Sequence, residues 1–588
     1  MNRIASIAGA AALAGAALMF LRRRRALPPP KEGVEDFTDD APPLGPFASC
    51  GDVVKRMQCY LKVLGEYDRL CSVFLKHKED GWFEYGEPPV SFDALGQHPA
   101  TQKLLALRGD ASRSCKSTLE FDADGPVLPT YLPIEEGAAA ALGAVSLAAA
   151  ELFELRTGRA QRVVVNQSGA GLTTAQYLFI YAQPSGRWQG MHGFDGTMAA
   201  EGTVKPHRKA YECKDGRWIF LHGGFPKLKK GLTDFLGCAC TVEAIGAKCK
   251  EWRAAELEAA MQAKGLAATM CRTPAEWRAS EQGVAVAPLP PVLVERRAAD
   301  QKAKPAPPTA RALPPKAARP LSDVIVVDFS HVIASPVVGR TLADHGATVI
   351  KVVSHQRPRR EMFDVETNHG KRTLAVELDT DEGKERLWAL LRVADVLVDG
   401  FTAGSLARHG FGIDEVLARN PHLVYLDLSC FGHLGPLSHG HGFQQNANFA
   451  AGVAGIDDEE LLGYQLVSQI DYATGYLGAY GALLGLLERQ RAAAAAEPFG
   501  GVVVRASLCQ AASWMGEFGA RAPGRLEWLS RVTRLLWWSD GRSTRVGDLT
   551  YLPPSTAVRM SITPPMRHGL ERWWPDDAPT DDLVVSKK

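Results

Sequence analysis

Neither sign of charge dominates this 588-residue chain: 67 basic and 66 acidic residues leave a formal net charge of +1. That balance removes any global signature of a protein built to bind nucleic acid or another polyanion. Cysteine is sparse, 11 in all with nine before residue 300, and the closest pair, Cys238 and Cys240, has no second pair or histidine cluster at metal-site spacing. The cysteines therefore read as reduced, mostly buried thiols of an intracellular protein, and no metal site is expected. There is no GxGxxG after the first strand of the second half and no GxxxxGK[ST] anywhere, which argues against an ordinary dinucleotide or P-loop site.

What is present is a globular composition, 46% hydrophobic and 23% charged, over a length that suggests about three or four units. The N-terminus carries an uncharged apolar run from Ile4 to Leu21, followed at once by Arg22–Arg25. As a helix it would just cross a thin hydrocarbon core, and the arginines after it would keep the remainder on the cytosolic side. The expectation is a membrane-anchored protein with a cytosolic catalytic part. A mitochondrial presequence is the alternative, because no acid precedes Glu32 and arginines flank the run.

Two proline-rich stretches, 27–47 and 301–320, read as extended connectors. They divide the chain into an N-terminal segment (1–26), a first half (48–300), a second half (321–515) and an atypical C-terminal segment (516–588). Within the halves lies a repeat. Pro133-Ile-Glu-Glu-Gly137, then Gly143 and a valine-rich run to Ser168, matches Asp471-Tyr-Ala-Thr-Gly475, then Gly481 and a valine-rich run to Ser507. Each copy reads as a small-residue helix, a turn and a short buried strand. "RAAAAAEP" at 491–498 reads as a stretched loop or helix end.

The second half opens with strand (Val324–Phe329), helix (Val337–His345) and strand (Thr348–Val353), then adds an amphipathic helix, a strand at Val396–Val398 and another in "NPHLVYLDLSCFG". Strands alternating with helices predict an α/β fold with a doubly wound parallel sheet, whose ligands bind beyond the carboxyl ends of the strands. That edge carries Ser330–Ala334, Gly400–Thr402 and Ser429–Phe431. The acid Asp471 opens the second small-residue helix, and by residue type alone it is a good helix cap.

The segments "VVDFSHVIASP", "LADHGATVIKV", "NHGKRTLAVELDTDEGKERL", "ADVLVDGFTAGSLARHGFG", "NPHLVYLDLSCFGHLGP" and "DYATGYLGAYGALLGLL" follow one another from 321 to about 510. Together they resemble the family III CoA-transferases, the group of formyl-CoA transferase, carnitine CoA-transferase and the α-methylacyl-CoA racemases. In the first half "ELFELRTGRAQRVVV", "YECKDGRWIFLHG" and "TPAEWRASEQG" resemble the later part of such a protein, its smaller domain. The chain thus resembles a degenerate, truncated copy fused to one that keeps a Rossmann-like CoA-binding part.

The resemblance implies acyl-CoA and a carboxylic acid as substrates, coenzyme A bound only as substrate, and no tightly held cofactor. It makes Asp471 the nucleophile, forming an aspartyl anhydride and then an aspartyl-CoA thioester, with the helix dipole keeping the acid ionised. It places CoA contacts on His331, Val332, Ile333, Ala334, Val376, Gly400, Phe401 and Arg408. An arginine usual after the second strand is Ser354 here, and Arg357, Arg359 and Arg360 are candidates to replace it. Family members are interlocked dimers; here the two half-copies are expected to make part of that contact within one pseudo-symmetric chain, which leaves a homodimer open. Competing readings are a non-catalytic CoA-binding or assembly protein and a racemase-like enzyme. The racemase base motif is replaced by Gly442-Phe443-Gln444, with His441 two residues before the phenylalanine, and Phe443 cannot move a proton.

Overall fold

The computed structural model describes residues 91–110, 114–176, 206–299, 309–354, 361–453 and 468–519, apart from single positions, with short strands between 181 and 190, 456 and 461, and 544 and 560. The apolar run 4–21, the connector 27–47 and Arg357, Arg359 and Arg360 lie outside the described residues.

The first half supplies strand β1 (Thr118–Asp122), the 24-residue helix α1 (Ile134–Thr157), strand β2 (Arg162–Asn166) and helix α2 (Gln167–Thr173). Alanine and leucine dominate α1. Glu135 and Glu136 lie in its first turn and Arg156 in its last, and it stops where Gly158 takes a left-handed conformation at φ 74°. By length and composition α1 could cross a membrane, but it is a core helix, nearly all of it buried. Further along, β3 (Arg208–Glu212), β4 (Trp218–His222) and β5 (Ala268–Met270) form a small antiparallel sheet. Helices Pro226–Leu236, Val242–Cys249 and Ala254–Ala263 accompany it, with Leu232, Ile245, Leu257 and Met261 in a core of their own. This is the smaller domain that the first half was expected to build. The half closes with β6 (Val292–Arg296).

The second half runs β7 (Ile325–Phe329), α3 (Ala334–Asp344), β8 (Thr348–Val353), β9 (Lys371–Ala375), β10 (Val396–Asp399), β11 (Val424–Ser429), α4 (Gln444–Ala450), α5 (Gln469–Ala494), β12 (Val502–Ser507) and α6 (Leu508–Gly516). Its sheet has the order β9-β8-β7-β10-β11-β12-β6. The six strands of this half are parallel and β6 is antiparallel. The sheet is the doubly wound one expected. Strand order reverses between β7 and β10, so the loops after those two strands flank the crevice where such sheets take ligands. Strand β9 was not foreseen in the sequence; neither was β6.

Each half's sheet is completed by a strand from outside that half. β6, from the first half, pairs with β12, Val294 opposite Val504. Likewise β13 (Val558–Met560), from the C-terminal segment, pairs antiparallel with β2, Arg559 opposite Val164. Both pairings are made within one chain. The two repeat helices, α1 and α5, lie against each other in one core that also holds α3.

The second proline-rich connector is docked over its C-terminal part. The buried Arg156 guanidinium donates to the carbonyls of Pro314 at 2.7 and 2.9 Å, Pro320 at 2.8 Å and Ser322 at 3.0 Å. Proline has no N–H to give, but its carbonyl remains a good acceptor, so one arginine can pin a proline-rich strand. The alanines after Arg491 extend α5 to Ala494 rather than forming a loop.

Candidate active site

The loop after β7 rests on a buried ionic platform. Asp328 is fully buried and receives Lys371 Nζ on Oδ2 at 2.6 Å, while Lys351 Nζ donates to the Ser330 carbonyl at 2.7 Å and its Oγ at 2.9 Å. Burial alone would raise the Asp328 carboxyl, but the two lysines outweigh it and hold the acid below its ordinary value. Lys371 also reaches the Pro336 carbonyl at 2.7 Å, so the platform grips both ends of the loop. Above it Val332 has φ 69°, a left-handed conformation that a β-branched residue adopts only under constraint, and such outliers gather at ligand sites.

The predicted CoA residues separate into two groups. His331 and Val332 are half-buried, and Ile333 and Ala334 are buried at the start of α3. Gly400 lies so close to Ser335 and Ser330 that a Cβ there would collide with both, which brings the β10 loop against the β7 loop. Phe401, next along, stacks on the His331 imidazole with centroids 4.6 Å apart and planes at 15°. These six therefore meet at the switch point. Arg408 is exposed on the short turn Ala407–His409. Val376 is buried in the core on the other face of the sheet, packed with Val352 and Leu374.

Asp471 is the third residue of α5 and not its cap, since Ser468 takes the cap position. Its backbone N–H donates to Gln444 Oε1 at 2.9 Å, and the Ser468 N–H donates to the Thr174 carbonyl of the first half at 3.1 Å. Gly475, one turn on, lets the helix close onto α3; a Cβ there would be 2.6 Å from Val337 and 2.7 Å from the Ala334 carbonyl. Beneath this turn Tyr472 donates to Glu366 at 2.7 Å, and Glu366 also receives Arg340, which donates to Gln176 of the first half at 2.6 Å. The nucleophile candidate thus sits on a turn locked from both halves.

Asp471 keeps some solvent contact yet is ringed by protein, and burial pushes its carboxyl up to about 7. The helix dipole was expected to keep this acid ionised. Desolvation outweighs it, because a first-turn dipole contributes only about 0.3–1 kcal/mol. The equivalent position in the first half is Pro133, just before α1. The nearby Glu135 is spent on structure, accepting from the Val127 and Leu128 N–H groups at 3.2 and 2.8 Å.

Two features escaped the sequence reading. The first is a row of rings drawn from both halves. His222 stacks on Phe443 (4.3 Å), Phe443 on Phe225 (5.6 Å), Phe225 meets His331 edge-on (5.9 Å), and His331 stacks on Phe401. The second is the acid beneath Phe401, Asp399, pushed up to about 7 by burial and by Asp427. His441 is held to the smaller domain, its N–H and carbonyl both bonded to the Gln262 amide at 2.8 and 2.9 Å. Burial, then Arg408 and Lys227, lower its imidazole. Among the described residues no group of three or more His, Cys, Asp or Glu side chains could hold a metal ion.

The sequence matches the profile of CoA-transferase family III in two segments, 111–302 and 321–522. An acyl-CoA transferase of Gibberella moniliformis is 30% identical over 310 residues, 48% of this chain and 52% of that protein. Mouse succinyl-CoA:glutarate CoA-transferase is 30% identical over 192 residues, 29% of this chain and 43% of the other. The chain spans about half the length, or less, of these relatives. A crystal structure of Rv3272 from Mycobacterium tuberculosis is similar at 29% identity with a TM-score of 0.30, over 33% of this chain and 54% of that one.

Proposed function

Because this chain belongs to CoA-transferase family III, we propose that it moves CoA from an acyl-CoA donor to a carboxylic acid, with Asp471 as nucleophile. The observation that carries the reading is a carboxyl, tuned to about 7 by burial, at the start of a helix packed on the loop where CoA is expected. An Asp471 oxygen attacks the thioester carbonyl carbon; the C–S bond breaks and CoA leaves as thiolate. The thiolate then attacks Cγ of Asp471, forming aspartyl-CoA and expelling the donor's carboxylate. The acceptor carboxylate attacks that thioester, and the thiolate attacks the acceptor's acyl carbon in the new anhydride. New acyl-CoA departs and Asp471 is restored. Anhydride and thioester are close in free energy to the starting thioester, so one difficult exchange becomes several easier ones.

Desolvation serves the first step. A carboxylate with little water around it attacks more readily, and the raised value still leaves it about half ionised near neutral pH. His331, Val332, Ile333, Ala334, Gly400 and Phe401 would line the pantetheine path, and the exposed Arg408 is suited to a CoA phosphate. Val376, in the core on the sheet's other face, is not among them.

The test is a screen of acyl-CoA donors against carboxylic acids, followed by mass spectrometry of the CoA esters. New acyl-CoA species that require both partners, and vanish in Asp471→Asn, are expected. CoA binding with no exchange across the panel would overturn the reading in favour of a CoA-binding protein.

A further inference from the structure

The row of rings crosses the junction between the halves. We propose that Phe443 and Phe225, backed by the buried His222, form an acyl-group subsite that takes an aromatic or long apolar acyl chain in preference to a short dicarboxylic one. The inference rests on the function proposed above and names the substrate class.

Position comes first. Gln444, which accepts from the Asp471 backbone, directly follows Phe443, so this end of the row abuts the nucleophile's turn. The other end, His331 on Phe401, lies at the switch point where CoA is expected. A thioester whose carbonyl meets Asp471 has its adenine a whole pantetheine arm away. The substituent beside Phe443 is therefore the acyl group.

Chemistry comes second. Phe225, His331, Phe401 and Phe443 are stacked yet each stays only half-buried, leaving ring faces that an apolar or aromatic group can cover. A short dicarboxylate would need a cation at this end. Arg340, the buried guanidinium under the turn, is already bound to Glu366 and Gln176. Among the described residues no cation offsets the burial that raises Asp471. Arg408 and Lys227, the cations that lower His441, lie toward the smaller domain that holds His441 and not under the Asp471 turn.

The test uses CoA thioethers, which bind but lack a carbonyl to react, titrated calorimetrically into the full chain: S-methyl-, S-benzyl- and S-(3-carboxypropyl)-CoA. S-benzyl-CoA is expected to bind about tenfold or more tighter than S-methyl-CoA, and the carboxypropyl compound no tighter than methyl. In Phe225→Ala the benzyl-to-methyl ratio should fall to within about threefold of one, with Phe225→Leu between. A carboxypropyl thioether that matches or beats benzyl overturns the proposal, as does a ratio that Phe225→Ala leaves in place. If no thioether binds, the CoA-transferase reading itself fails; if all bind alike, only the subsite does. The wild-type comparison decides by itself should the alanine variant not fold.

Discussion

Helices α1 and α5 share a repeat, pack against each other and each precede a valine-rich strand, yet they begin differently. α1 follows Pro133, and its first acid, Glu135, closes two backbone N–H groups. α5 starts earlier in register and places Asp471 on its first turn beside a strained loop over a lysine-backed platform. On the proposed function the same helix is scaffold in one half and carries the nucleophile in the other. The first half has no counterpart of β7–β10 among the described residues. Its equivalent position is Pro133, and the nearby Glu135 serves as a structural group.

Exchanging the two N-termini breaks this comparison most sharply. Asp471→Asn should lower CoA transfer by about a thousandfold or more, as loss of a nucleophile does, whereas Pro133→Asp should create no second activity; CoA-ester formation reads both. Next, Lys371→Met removes a buried partner of Asp328 and should cost about 3–5 kcal/mol in urea unfolding, because the acid is left buried with only Lys351.

A pH series sharpens the contrast. On the proposed function ionised Asp471 is the reactive form, and with its value raised to about 7 kcat/KM should fall about tenfold per unit below pH 7. Stability runs the other way. The folded value lies above the unfolded one, so this group's contribution is full below about 4 and is lost as pH rises through 7. Asp471→Asn should therefore match wild type at pH 4 and exceed it by about 1–2 kcal/mol at pH 8, after discounting for the acid's partial solvent contact. The smallest effect belongs to the first half: Glu135→Gln should cost about 1 kcal/mol in thermal unfolding and leave kcat unchanged.

Much of this was legible in order along the chain. The parallel sheet followed from apolar runs such as Val324–Phe329 alternating with helices, while Asp471 read locally as a helix cap and was singled out only through the family resemblance. What stayed hidden depends on partners far away in sequence. β9 contains Lys371, a residue type that reads as surface and is buried only because Asp328 meets it. β6 ends in a charged run and becomes a strand because β12 offers an open edge. The ring row draws on residues 222, 225, 331, 401 and 443, which no local pattern connects. Asp471's elevated value belongs to the closed site and not to its residue type.

The most direct test traps the intermediate on the nucleophile: incubate the full chain with an active acyl-CoA donor and hydroxylamine, then map modified peptides by mass spectrometry. The account predicts a hydroxamate on Asp471, dependent on donor and absent around Pro133 and Glu135. Continued CoA transfer with Asp471 unmodified, or with the adduct on another residue, would contradict it.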